Sequence, residues 1–342
     1  MQRSQQQQQQ QTKLAGSYSG SLAVDHALAG IGGAIVSTVA FHPLDMIKVR
    51  LQVDVSARGE AVLGRAVRAT KHVIRSDGMR GLYRGLVANL AGNCASWGLY
   101  FAWYTWIKEQ MAGGHTAETA SGISTLSPAQ HLFSGSLAGA LTQCMANPLW
   151  VVKTRICTTS PKDPSSYRGL MDGLWQIATK EGIPGLYKGL APGLLGVAHG
   201  GIQFMAYEEL KRRFKNSRPN NAAGEFSMFQ YALMSSSSKV LALSITYPSQ
   251  VLRSRLQQQP KSTLTSLPSV ATATVATGAP RMVSYTGLFD VVSKMIRTEG
   301  VPGFYKGFGP ALVRVLPGNI ITFVVYERIS GYFRGHATQT SI

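Results

Sequence analysis

Three pairs of cations hold equivalent places in this chain. Lys48 and Arg50, Lys153 and Arg155, and Arg253 and Arg255 lie five and seven residues past Pro43, Pro148 and Pro248. Two residues past each proline stand Asp45, Trp150 and Gln250, so only the first place carries an acid. Two more cations, Lys239 and Arg314, interrupt apolar stretches, where a charge is costly unless it faces water or an anion. Residues of these types can form reversible ion pairs and receive an anionic ligand; they do not make a bond-breaking centre. Cys94, Cys144 and Cys157 lie far apart with no C-x-x-C pair, and the seven histidines form no H-E-x-x-H. G-x-S-x-G is also absent, so neither a metal site nor an enzyme is expected. A lone histidine such as His199, inside an apolar run, is expected to be packed or hydrogen-bonded.

The elements that carry these residues can be read from composition. The chain has 342 residues, a net charge of +18, 44% hydrophobic residues and 15% charged ones. Soluble domains carry about a quarter charged residues. No Asp, Glu, Lys or Arg occurs in 85–107, 119–152 or 189–207. Each run exceeds the ~18 residues of a membrane-span candidate. Cations gather between the runs, as at Arg65, Arg68, Lys71, Arg75, Arg80 and Arg84, which suits a membrane protein with basic loops. A nucleic-acid binder would need one continuous phosphate-tracking face, so no nucleic-acid partner is expected. The glutamine run at 5–11 lies in a segment, 1–20, expected to be disordered. It has neither the apolar core of a secretory signal nor an Arg-rich amphipathic pattern, so targeting is expected to reside in the folded part.

A second landmark follows each proline: "DGMRGLYRG" ending at Gly85, "EGIPGLYKG" at Gly189 and "EGVPGFYKG" at Gly307. Two motifs in fixed order, three times over, define an internal repeat. The repeats are expected at 21–112, 127–216 and 226–334, with a tail at 335–342 and a Ser-, Thr-, Ala- and Pro-rich loop at 258–285 read as a disordered insertion. Each repeat holds two apolar spans, at 23–51, 86–111, 128–157, 190–214, 227–257 and 308–334. A shorter amphipathic segment lies between them, as in Val62, Ala66, Ala69 and Val73 on one face. The expected fold is an all-α membrane protein: six transmembrane helices in three pseudo-symmetric repeats, with short surface helices.

These landmarks resemble the mitochondrial carrier family, whose repeats carry P-x-[D/E]-x-x-[K/R]-x-[K/R], then [D/E]-G, then an aromatic residue, a basic residue and Gly. The resemblance covers about 21–333. It implies a multi-pass protein of the mitochondrial inner membrane, three helix pairs around a central cavity, and alternating access through two gates. A single chain encloses the cavity, so a monomer is expected. The implied matrix gate comprises Asp45, Lys48, Trp150, Lys153, Gln250 and Arg253, in which at most one ion pair, Asp45 with Lys153, can form. The implied cytoplasmic gate reads "YTWIK", "YEELK" and "YERIS", retaining Lys108, Glu208, Lys211 and Glu327. Both gates look weak. The resemblance further assigns Arg84, Gly85, Lys188, Gly189, Lys306 and Gly307 to cardiolipin, because free N–H groups at helix starts attract phosphate.

Cargo clues lie where the repeats disagree. Seven residues past each landmark glycine come Gly92, Gly196 and Arg314, where the family's substrate contacts cluster. Nine residues before the prolines come Ala34, Gly139 and Lys239. Lys239 and Arg314 together imply an anionic cargo. The "PLW" of the second repeat resembles the branch that carries flavin, folate, pyridine and pyrimidine nucleotides. Trp150 can either offer a flat face to a planar ring or plug the gate by packing. "NCASWGLYFAWYTWIK", "TYPSQVLRSRLQ" and "RVLPGNIITFVVYE" are most similar to the flavin and folate carriers. Ser249, in "YPSQ", departs from the aromatic residue typical there. Asn93, Ser96 and Trp97 lie about one turn from Gly92 and are expected to face the cargo. FAD is the expected cargo, not a cofactor, with folate or a pyridine or pyrimidine nucleotide as alternatives. A carrier-like membrane protein serving only as an interaction partner is the alternative outside transport.

Overall fold

Prolines two-thirds of the way along three long helices organise the chain. The structure, a computed structural model, describes residues 22–55, 62–111, 127–163, 166–216, 226, 228–258 and 285–339. The glutamine-rich segment and nearly all of the 258–285 loop lie outside these residues. The long helices are α1 Leu22–Val53, α3 Leu86–Met111, α4 Pro128–Thr158, α7 Leu190–Leu195 continued by α8 Ala198–Asn216, α9 Met228–Gln258 and α11 Phe308–Gln339. Between them lie α2 Val62–Gly81, α5 Leu170–Glu181, the single turn α6 Ile183–Leu186, α10 Leu288–Thr298 and a 3-10 turn at Val301–Tyr305. No strand occurs among the described residues.

Local chemistry accounts for the boundaries. Ser127 and Gln130 form a reciprocal capping box with Pro128 in the first turn, fixing the start of α4. Pro43, Pro148 and Pro248 lie inside α1, α4 and α9 and remove one backbone donor each, which marks where those helices can bend. The first and last glycines of each second landmark have positive φ: 72° at Gly78, 75° at Gly182 and 71° at Gly300, then 80° at Gly85, 74° at Gly189 and 82° at Gly307. That left-handed conformation ends each amphipathic helix and starts the next long one, and it favours residues without Cβ.

The described chain groups into two units, residues up to Pro43 with those from Val313, and Leu44–Leu312. In the first, small residues let α1 and α11 approach: a Cβ on Gly33 would lie 2.8 Å from the Thr322 carbonyl oxygen. Ser37 Oγ donates to the Gly318 carbonyl across 3.3 Å at the same seam. In the second, α3 packs along α4 and α8 along α9, so the second long helix of one repeat lies against the first of the next. Val73 of α2 is fully buried in a cluster with Met46, Ile47, Val49, Leu51, Leu82 and Cys157, and Ala66 and Ala69 pack against it. The amphipathic face expected from the sequence is therefore the packing face; the Val62 side chain is outside the description.

By composition alone, Leu28–Val53 and Val301–Phe333 are apolar enough to cross a bilayer. The other long helices carry Ser, Thr, Gln and cations on the sides that meet within the unit, as Thr142, Asn147, Ser236 and Ser238 show by their burial. Polar residues facing a bundle interior lower mean hydropathy without exposing charge to lipid. Helix α11 runs on to Gln339, past the expected end of the last span. The fourth span, expected to be continuous, is interrupted at Gly196 and Val197, where hydrogen bonds close over three or four residues.

Candidate functional site

The second cation of each pair ties its own repeat together. In α4, Arg155 holds Glu181 at the end of α5 through both guanidinium nitrogens, Nη2 to Oε2 being 2.9 Å. In α9, Arg255 does the same to Glu299, at 2.5 and 2.8 Å. Lys188 and Lys306, the landmark lysines, complete these clusters at 3.0 Å from Glu181 and 2.7 Å from Glu299. Burial is the largest single influence and would raise the two carboxyls, but the hydrogen bonds and charges of Arg155 with Lys188, and of Arg255 with Lys306, together outweigh it and hold both below the ordinary carboxylate range. The first repeat is looser. Arg50 lies 3.6 Å from Asp77, one methylene shorter than Glu, and Arg84 donates to the Ile156 carbonyl at 2.9 Å.

The same three arginines also join the repeats in a closed cycle. Arg50 Nε donates to the Cys157 carbonyl, Arg155 Nε to the Gln257 carbonyl and Arg255 Nε to the Gln52 carbonyl, each at 2.9 Å. Cys157, Gln257 and Gln52 are the residues nine past each proline. A Cβ on Gly85, Gly189 or Gly307 would come within 2.8 Å of Cys157 Sγ, 2.9 Å of Gln257 Cγ and 2.9 Å of the Lys48 carbonyl oxygen respectively. The landmark glycines are thus needed at the joints as well as for their backbone angle. The residues just before the prolines hold the landmarks from below: Asn147 Nδ2 donates to the Leu186 carbonyl at 2.8 Å and Tyr247 Oη to that of Lys306 at 3.1 Å.

Inside this ring lies the expected matrix gate. Lys48 Nζ donates to Gln250 Oε1 at 3.0 Å, a neutral acceptor standing where an acid would. Asp45 is buried. Lys153 Nζ lies 5.1 Å from the centroid of the Trp150 ring, and the Arg253 guanidinium 5.7 Å from it. The indole rests on Gly92, whose missing Cβ would be 3.7 Å from three of its ring atoms, and its Nε1 donates to Ser96 Oγ at 3.2 Å. The tryptophan in the second repeat and the glycine at the first expected substrate-contact place thus fit one another.

Other expected residues are placed differently. Asn93 donates to Asn89 Oδ1 at 3.4 Å, and the Ser96 hydroxyl is engaged by Trp150, so neither is idle. Trp97 is 61% exposed and stacks on Phe101 at 5.7 Å. Lys239 is partly buried on α9, within electrostatic range of His199, and His199 Nδ1 lies 2.9 Å from Thr246 Oγ1. Gly196 sits in the interruption between α7 and α8. Arg314 is partly buried on α11 in the other unit. Lys108 and Lys211 are partly buried and Glu208 exposed, and no ion pair joins these three among the described residues; Glu327 is exposed. The landmark acids Asp77, Glu181 and Glu299 were visible in the sequence, but their pairing with the second cations, and the part that Gln52, Cys157 and Gln257 play in the ring, were not assigned from it. Their recurrence at equal offsets in the repeats was the available signal.

A family model described as mitochondrial carrier protein matches three segments, 19–115, 124–218 and 224–337. The chain belongs to the mitochondrial carrier family. Its fold is therefore the six-helix transmembrane one, and family members are transporters. This carrier is 37% identical over 325 residues to folate transporter 1, chloroplastic, of Arabidopsis thaliana, covering 92% of this chain and 97% of the relative. It is 35% identical over 318 residues to nicotinamide adenine dinucleotide transporter 2, mitochondrial, of the same plant, covering 90% and 80%. It is 31% identical over 315 residues to the mitochondrial FAD carrier protein of Saccharomyces cerevisiae, covering 88% and 94%.

Proposed function

We propose that this carrier moves FAD or a related flavin across the mitochondrial inner membrane by alternating access. The observation that carries the reading is Trp150, a flat indole seated on Gly92 with two cations over its ring. Folate, NAD and FAD, the molecules in the relatives' names, each join a planar heterocycle to anionic groups. Lys239 and Arg314 receive the anionic part of the cargo, while Trp97 and Asn93 flank its ring. Release of the hydrogen-bonded ring at the proline ends, as Lys108, Glu208, Lys211 and Glu327 engage at the other, completes the cycle. Cargo passes through one chain, so a monomer suffices.

Cardiolipin is assigned to the glycine turns at Gly85, Gly189 and Gly307 through their backbone. The side chains of Arg84, Lys188 and Lys306 already have partners within the fold.

Folate transport is the second reading, favoured by the 37% identity to the folate transporter. Thermal stability of the detergent-purified protein with FAD, FMN, folate, NAD and pyrimidine nucleotides tests both, since a ligand bound only by the folded state raises its Tm. A rise with FAD that is lost in Arg314→Ala is expected. A rise with folate alone selects the second reading, and no rise with any of them leaves an interaction protein built on the carrier fold.

A further inference from the structure

We infer that Trp150, Lys153 and Arg253 form a second cargo subsite at the proline-end gate, where the cargo's own anionic group takes the place of the acids that Trp150 and Gln250 replace. The inference rests on the reading of the cargo as a planar-ring anion.

Three cations, Lys48, Lys153 and Arg253, surround positions that hold one acid, Asp45, so this part of the gate carries an excess of positive charge. Lys48 is met by the amide of Gln250. Arg253 is not met in the same way: its Nη2 is shielded from solvent and has no hydrogen-bond partner among the described residues. A shielded guanidinium nitrogen without an acceptor is unfavourable, and a guanidinium suits the paired oxygens of a carboxylate or phosphate. The nearest compensation is the face of Trp150, 5.7 Å from the guanidinium, which Lys153 shares at 5.1 Å.

That arrangement is a lock with two ligand-shaped parts. A cation held by an aromatic face is held more weakly than by an anion once both are out of water. An arriving phosphate or carboxylate draws Lys153 and Arg253 off the indole and satisfies Arg253 Nη2. The indole stays seated on Gly92, and the face that the cations vacate is then open to a planar ring. Cargo binding at this depth loosens the contact between α4 and α9 that Arg253 and Trp150 make. The cargo is thereby coupled to opening of the gate, and a neutral molecule with the same ring is not.

Three pairs of probes separate charge from ring: FMN with riboflavin, nicotinamide mononucleotide with nicotinamide riboside, and folate with its dimethyl ester. The full chain in detergent is titrated with each by thermal shift, and the pair whose anionic member stabilises the wild type is carried to Arg253→Gln and Trp150→Leu. Arg253→Gln is expected to lower affinity for the anionic member about tenfold and to leave the neutral member unchanged, so their ratio collapses. Trp150→Leu is expected to weaken both members alike, which keeps the test open if Arg253→Gln does not fold. An unchanged ratio in Arg253→Gln, or unchanged binding of both members to Trp150→Leu, overturns the subsite while leaving the cargo class intact. Failure of every anionic probe to stabilise the wild type overturns the cargo reading, and the subsite with it.

Discussion

Arg255 Nε donates to the Gln52 carbonyl oxygen across 2.9 Å and so ties the last repeat to the first. The same guanidinium grips Glu299 with its other two nitrogens. One side chain therefore fixes the surface helix of its own repeat and closes the cycle of three. Substituting Glu299→Gln removes the charge that neutralises Arg255 and Lys306 while both stay buried. Breaking a buried pair from one side costs about 3–5 kcal/mol. A large fall in Tm is expected for Glu299→Gln and for Glu181→Gln, with a smaller one for Asp77→Asn, because the Arg50 bridge is already 3.6 Å long. Equal losses at all three sites would count against the ranking.

Acid should act through the same two carboxyls. Their folded pKa values lie below the ordinary range, because the arginine and lysine at each carboxyl together outweigh the upward push of burial. The unfolded chain then binds the proton more readily than the folded one. The stabilisation is complete above the unfolded value of about 4.3 and disappears as pH falls through the folded pKa. Melting curves between about pH 6 and pH 3 should show Tm dropping in the wild type, and a shallower drop in Glu299→Gln, which lacks one of the two titrating groups.

Gly189→Ala places a Cβ 2.9 Å from Gln257 Cγ and 3.0 Å from the Arg253 carbonyl oxygen, on a backbone with φ of 74°. The left-handed conformation alone costs roughly 1–2 kcal/mol for a residue with Cβ. Gln257→Ala relieves the side-chain contact and leaves the backbone one. Partial rescue of Tm is therefore expected in the double variant, and full rescue would show that the strain resides in the side chain only.

Gly92 and Trp150 offer a contrasting pair. A Cβ on Gly92 would meet the indole at 3.7 Å, an ordinary contact, so Gly92→Ala should be neutral to stabilising, by up to about 1 kcal/mol from the helix preference for Ala over Gly. Gly92→Leu overfills the same space and is expected to be destabilising unless combined with Trp150→Ala. A double-mutant cycle read by Tm measures this coupling.

Gln250→Glu turns the 3.0 Å hydrogen bond from Lys48 into an ion pair. A charge-assisted bond is roughly twice as strong as a neutral one. The gate should open less readily, so the variant is expected to melt higher and transport more slowly, as seen in initial uptake rates by reconstituted protein. Faster transport would argue that this contact does not limit opening.

Much of this organisation was legible in the chain. The spacing of Pro43, Pro148 and Pro248 and the triple aromatic-basic-glycine turn disclosed the repeat, and uncharged runs disclosed the spans, because both signals are local. What the second cations hold, within a repeat and between repeats, was not legible. Arg155 and Glu181 lie 26 residues apart and Arg255 and Glu299 lie 44 apart, so their pairing depends on how the surface helix folds back. The ring carbonyls of Cys157, Gln257 and Gln52 are backbone atoms and leave no trace in residue type. Gly92 is expected at a substrate-contact place from its spacing in its own repeat. Its meaning came from Trp150 in the next one, and the interruption at Gly196 likewise has no hydropathy signature.

Uptake of FAD, folate and NAD into liposomes reconstituted with the full chain tests the central claim most directly. Saturable FAD uptake above that of protein-free liposomes, and its loss in Arg314→Ala, is the expected result. Absence of uptake of all three, by protein that melts cooperatively, would contradict it.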